Sequence, residues 1–169
     1  KGVLPVKEIG TSEASRVSGG NAINLLSEAV VNLIGGSADL TKSTKAKGVN
    51  GDFSHSTPLG RNLNFGVREH AMAAAMVGMA LRGGILPVGG TFFVFADYMR
   101  PAIRLAALSQ AKVIFVFSHD SVGVGEDGPT HQPVVHLASL RIIPGLHVVR
   151  PADAHEIAQA WRDACDFDG

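Results

Sequence analysis

Lys112-Val113-Ile114-Phe115-Val116-Phe117, running through Ser118-His119 into Gly123-Val124-Gly125-Glu126-Asp127-Gly128-Pro129-Thr130-His131-Gln132-Pro133, decides how the chain folds. After its lysine the first run is wholly β-branched or aromatic, the composition of a strand buried on both faces. The glycine-rich run that follows carries Glu126, Asp127 and His131, with His119 just upstream. Loops beyond the carboxyl ends of parallel strands are where open α/β folds place their chemistry, so the pair reads as a strand feeding a site. Gly123-x-Gly125-x-x-Gly128 has the spacing of a dinucleotide fingerprint but not its context. Pro129 follows the last glycine where a helix should open, and carboxylates stand where a pyrophosphate would bind.

Outward from that stretch, strand and helix signals alternate. Ser12 to Asn32 has helical spacing, with Ile23, Leu26 and Val30 on one face and a break expected at Gly19-Gly20. Leu33-Ile34 reads as a short strand entering Gly35-Gly36-Ser37-Ala38-Asp39, and Thr41 to Leu59 as a long exposed loop. A strand over Arg61 to Gly66 precedes an Ala/Met-rich helix over Val67 to Arg82, stopped by Gly83-Gly84. Ile85 to Val88 is a short strand ended by Gly89-Gly90, and Phe92 to Ser109 a helix kinked or restarted at Pro101. His131 to Leu140 reads as helix, Leu146 to Val149 as strand, and Asp153 to Cys165 as a final helix capped by Asp153. The alternation predicts an α/β fold, a mostly parallel sheet sandwiched by helices, with the whole of 1–169 as one domain.

Composition narrows the function. The chain has 169 residues, 46% hydrophobic and 18% charged, and a formal net charge of zero. Such a chain buries a substantial core and offers nucleic acid or an anionic membrane no basic footprint. It contains no apolar run long enough to span a bilayer. Cys165 is the only cysteine, which excludes an internal disulfide and fits a reducing, cytoplasmic setting. The chain begins at Lys1 and stops after Asp168-Gly169, and is expected to be a piece of a longer protein.

Several residues are candidates for chemistry, each with a plainer reading beside it. Glu69 stands where a strand turns into an apolar helix, partly desolvated and so able to hold or share a proton. It could equally be an acid favoured by the helix dipole. Phe92, Phe95 and Tyr98 recur at three-residue spacing, as core residues or as a surface on which a flat heterocycle stacks. His119 and His131 flank the acidic loop, but their spacing matches no common metal-ligand pattern. Neutral histidines that bind a hydroxylated substrate and handle protons fit better. His136, His147 and His155 read as surface or packing residues. Arg16, Ser43 and His119 could hold a phosphate together, although an arginine is more often simply on the surface.

Five segments in order resemble the middle, pyrimidine-binding domain of transketolase. They are Ala14-Ser15-Arg16; Gly35-Gly36-Ser37-Ala38-Asp39-Leu40; Gly66-Val67-Arg68-Glu69-His70-Ala71-Met72; Gly90-Thr91-Phe92 with Phe95 and Tyr98; and His119-Asp120-Ser121 through Gln132-Pro133. The resemblance covers nearly the whole chain and departs at Lys42, where the family often has proline. It implies a thiamine diphosphate enzyme of the pentose phosphate pathway that moves a two-carbon ketol unit between sugar phosphates. Glu69 would hydrogen-bond a ring nitrogen of the cofactor's aminopyrimidine, with Phe92, Phe95 and Tyr98 enclosing the ring and Asp39 close by. His119, Asp127 and His131 would contact sugar hydroxyls or phosphate, His131 with a catalytic part, and Arg16 with Ser43 would form the phosphate end of the channel. Mg²⁺ or Ca²⁺ and the diphosphate would be held by a preceding domain that this chain lacks, and the site would lie between the subunits of a homodimer. By the same resemblance the isolated chain is expected to be inactive. Dihydroxyacetone synthase and other thiamine diphosphate enzymes share parts of the pattern. A non-catalytic dimerisation module is the alternative from another class.

Overall fold

A computed structural model describes residues 4, 7–8 and 10–168. Four parallel strands lie in the order β2-β1-β3-β4: β1 (Leu33–Ser37), β2 (Asn62–Asn64), β3 (Leu86–Phe92) and β4 (Ile114–Ser118). Helices α1 (Ser15–Ala29) and α6 (Ala154–Asp166) cover one face. Their Ile23, Leu26, Ile157 and Trp161 pack on Leu33 and Val88. Helices α3 (Glu69–Arg82), α4 (Ala96–Leu108) and α5 (His136–Arg141) cover the other, around Met72, Met76, Met99 and Ile103. A short helical turn, α2 (Thr41–Thr44), follows β1. The expected parallel α/β sandwich is therefore the observed fold, and Asp153 caps α6 by accepting from the His155 and Glu156 N–H groups.

The departures from sequence expectation have local causes. Strand β3 runs on through Gly89-Gly90 to Phe92 rather than ending there. A Cβ at Gly89 would meet Met76, and one at Gly90 would meet Ala46 and Thr44, so the missing side chains let both faces close on the strand. Helix α1 likewise passes through Gly19-Gly20 unbroken, and Gly20 makes room for Lys45. The segment from Thr41 to Leu59 is not wholly an exposed loop: Thr44, Ala46 and Gly48 are buried against the sheet. Helix α4 includes Pro101, whose missing N–H would have bonded to the Asp97 carbonyl in the helix's first turn. The helix expected over His131 to Leu140 is split into a 3₁₀ turn, Pro129–His131, and α5. Pro133 forces Gln132 into an extended conformation between them (ψ 107°). Leu146 to Val149 forms no strand. Leu146 and Val148 reach the core while His147 and Val149 are exposed, so the alternation of a strand is present without its ladder. An apolar cleft of about 950 Å³, lined in part by β4 and this segment, lies along that side.

Candidate cofactor and substrate site

The chain passes from β1 to β2 on one side and to β3 on the other, so the crevice between the carboxyl ends of β1 and β3 is a topological switch point. Ser37 seals its floor: its hydroxyl donates to the Gly90 carbonyl at 2.9 Å and accepts from the Leu40 N–H at 3.1 Å. The residues just past β1 and β4, Asp39 (φ 62°) and His119 (φ 54°), are both left-handed without being glycine. Such backbone costs on the order of 1 kcal/mol or more and gathers at functional sites.

Phe92, at the end of β3, stacks on the His119 ring with centroids 3.7 Å apart. It also lies parallel to Phe95 at 6.0 Å, and Phe95 stacks with Tyr98 at 6.1 Å. His131 meets the edges of Phe92 and Phe95 at 6.2 and 5.4 Å. The aromatic triplet is therefore not one face of one helix: Phe92 ends a strand, Phe95 sits in a 3₁₀ turn (Phe93–Phe95), and Tyr98 in α4. That change of geometry lays their rings out as a shelf, while Phe93 turns into the core against Phe117. Tyr98 is 63% exposed, leaving the outer end of the shelf open.

Glu69 opens α3 at the same carboxyl edge of the sheet and is only 9% exposed. Among the described residues nothing donates a hydrogen bond to its carboxyl group, so its hydrogen-bonding capacity is free for a ligand. At the far side of the shelf, Arg16 Nη1 lies 3.2 Å from His119 Nε2, and His119 Nδ1 lies 2.9 Å from Ser118 Oγ. Burial and the neighbouring Arg16 charge push the His119 pKa below its ordinary 6.5, while the Asp127 and Asp120 carboxylates pull weakly the other way. The ring is thus neutral near pH 7. His131 Nδ1 is engaged by Thr130 Oγ1 at 2.8 Å.

Arg16 and His119 are brought together, Asp127 lies within electrostatic reach of His119, and His131 joins the aromatic shelf. Ser43 sits half-buried in α2 and Asp39 is exposed beyond β1; no described hydrogen bond ties either to the Arg16–His119 pair. Sequence reasoning missed two partners: Ser118 contacts His119, and Arg150 clamps Asp120 at 2.6 Å at the base of the acidic loop. Of the histidines expected at the surface or in packing, His136 is a buried packing residue. His136 Nε2 stands 3.1 Å from Asp97 Oδ2 in ion-pair range, though without the alignment of a hydrogen bond. A serine preceding the strand-end histidine was the one readable signal among these. Among the described residues no cluster of three or more His, Cys, Asp or Glu could hold a metal ion.

An α/β domain with an aromatic shelf, a largely buried glutamate without a described hydrogen-bond partner and an Arg–His pair along one sheet edge has the chemistry to take a flat heterocycle and an anionic group. The family model for the transketolase pyrimidine-binding domain matches residues 11–169, and the chain belongs to that family. It is 59% identical over 165 residues to a transketolase of Geobacillus stearothermophilus, covering 96% of this chain and 25% of that protein. A transketolase structure from Leishmania mexicana superposes with a TM-score of 0.92 at 47% identity, covering 97% of this chain and 25% of that one. A Pichia stipitis transketolase, solved in complex with sedoheptulose 7-phosphate, gives 0.92 at 41% identity, with 98% and 26% covered. The chain thus spans about a quarter of the length of the relatives it matches. The family implies thiamine diphosphate, and the residues present fit its pyrimidine: aromatic rings and a largely buried glutamate without a described hydrogen-bond partner stand on the same carboxyl edge of the sheet.

Proposed function

We propose that this chain is the pyrimidine-gripping part of a transketolase active site. The whole protein transfers a two-carbon ketol unit from a ketose phosphate to an aldose phosphate, within the pentose phosphate pathway. The observation that carries the reading is Glu69, buried at the mouth of α3 with its carboxyl group unpartnered, on the sheet edge that also bears the aromatic shelf. Thiamine diphosphate, when bound, supplies the electron sink that lets a ketose carbon–carbon bond break. The chain's own residues supply the rest. Glu69 holds and shares a proton at a pyrimidine ring nitrogen, in a pocket that Phe92, Phe95 and Tyr98 keep dry. Arg16, with five donors and a permanent charge, takes the substrate phosphate beside His119, and Ser43 and Asp39 border the same channel. His131, with Asp127 on the same loop, binds a sugar hydroxyl and moves its proton.

Exposed apolar side chains at Val67 and Tyr98, and at Leu105 and Leu108 further along α4, support a partner surface, which fits a homodimer with the site at its interface. Mg²⁺ or Ca²⁺ with the diphosphate then belongs to a separate diphosphate-binding domain, and the enzyme works in the cytoplasm.

The test is ketol transfer from xylulose 5-phosphate to ribose 5-phosphate by the intact polypeptide, with thiamine diphosphate and Mg²⁺ present. Activity that vanishes in Glu69→Gln supports the reading. Activity only with formaldehyde as acceptor would instead identify a dihydroxyacetone synthase. Failure to bind the cofactor at all would leave a dimerisation module.

A further inference from the structure

Ser118 is a buried serine, 8% exposed, at the end of β4, and among the described residues its hydroxyl makes one side-chain contact, to His119 Nδ1. We infer that Ser118 is a positioning residue for substrate phosphate binding: it keeps the His119 ring proton on Nδ1, which leaves the Nε2 lone pair to seat the Arg16 guanidinium. The inference rests on the reading of Arg16 and His119 as the phosphate end of the site, and deepens it.

The argument is one of donors and acceptors. A guanidinium has only donors, so the 3.2 Å contact from Arg16 Nη1 to His119 Nε2 requires Nε2 to accept. A neutral imidazole that accepts at Nε2 carries its proton at Nδ1. The atom facing Nδ1 is Ser118 Oγ at 2.9 Å, which accepts that proton's hydrogen bond. The depressed pKa of His119 agrees with a neutral ring. Phe92 fixes the ring's face at 3.7 Å, so three neighbours set its plane, its tautomer and its outward edge. The left-handed backbone of His119 accompanies the turn that sets its ring over Phe92.

Without the hydroxyl, the ring loses the acceptor that fixes its proton at Nδ1. The other tautomer would present Nε2–H to a donor-only guanidinium, and Arg16 would swing away from the position in which it receives a phosphate. Ligands with a phosphate should feel this; ligands without one should not.

The experiment compares wild type, Ser118→Ala and Ser118→Thr in the intact polypeptide. Donors are xylulose 5-phosphate and unphosphorylated xylulose, and inorganic phosphate binding is followed by calorimetry. In Ser118→Ala, KM for the phosphorylated donor should rise about three- to tenfold, the worth of one neutral hydrogen bond, with kcat unchanged. KM for free xylulose should not move, and Ser118→Thr should restore the wild-type value. An unchanged KM for the phosphorylated donor, an equal loss on both donors, or no rescue by threonine would each overturn the role of Ser118. A wild type that transfers no ketol group would overturn the proposed function instead. Calorimetry then decides alone: weaker phosphate binding by Ser118→Ala retains the role, and equal binding removes it.

Discussion

Glu69 and His119 are handled in opposite ways by the same sheet edge. Glu69 is buried with no donor aimed at it, whereas His119 has a fixed partner at each ring nitrogen and a ring stacked beneath it. A carboxyl group left unpaired can be exchanged for its amide with little structural consequence. Glu69→Gln should therefore lower turnover of the intact enzyme by roughly 10²–10⁴-fold, the usual worth of a positioned proton-handling group. The melting temperature should stay nearly constant; normal turnover in the variant would remove Glu69 from its role.

For His119 the prediction concerns pH. Its folded pKa lies below the ordinary value because of burial first and Arg16 second. Below about pH 6.5 the unfolded chain binds the extra proton more readily, so the stability due to the neutral ring is complete above that pH. It is lost as the pH falls through the folded pKa. Arg16→Gln removes one of the lowering influences, and the His119 midpoint followed by NMR should move up; a midpoint that stays or falls would contradict the Arg16–His119 contact. Both residues were legible in the sequence as chemistry out of place beside apolar runs. Arg150 was not, because it is an ordinary residue until the fold brings it to Asp120, whereas Ser118, adjacent to His119, was the one readable partner.

At the scale of elements, β3 is the piece the sequence concealed. Strand signals come from β-branched and aromatic side chains, and Gly89-Gly90 has none, so the reading stopped at Val88 while the strand continues to Phe92. Those last residues form one side of the switch-point crevice. The two glycines differ in what they face. A methyl group at Gly89 would press on the sulfur and terminal methyl of Met76, which can move, whereas one at Gly90 would press on the Cβ of Ala46 beside Thr44, close to a buried backbone. Gly90→Ala should therefore cost the intact protein about 1–3 kcal/mol, as overpacking does, and displace the segment that carries Ser43. Gly89→Ala should cost clearly less. Urea denaturation of the pair checks this, and an equal or reversed order would show that the α2 segment is not held against β3. Leu146 to Val149 erred in the other direction: alternation was legible, but pairing depends on the neighbouring edge of β4, which sequence spacing does not report.

At the scale of the whole molecule, the proposed wall of the site is open to solvent at one end. Tyr98 ends the aromatic shelf in solvent, and Val67 before α3 and Leu105 and Leu108 further along α4 are exposed as well. Free energy for cofactor binding has to come from both ends of the ligand, and this chain offers its strongest contacts to the heterocycle alone. Stacking and one carboxyl hydrogen bond are each worth on the order of 1 kcal/mol, little against the several kcal/mol lost on immobilising a flexible diphosphate. The isolated 169-residue chain should therefore bind thiamine diphosphate weakly and show no ketol transfer, even with Mg²⁺. Co-expression with the remaining part of its parent polypeptide should restore both together. Calorimetry with thiamine diphosphate and the ketol-transfer assay, run on the chain alone and on the reconstituted pair, make the comparison. Turnover by the chain alone would mean that this wall suffices for the chemistry. Restored binding without turnover would place the defect in the Glu69 or His131 contacts rather than in assembly.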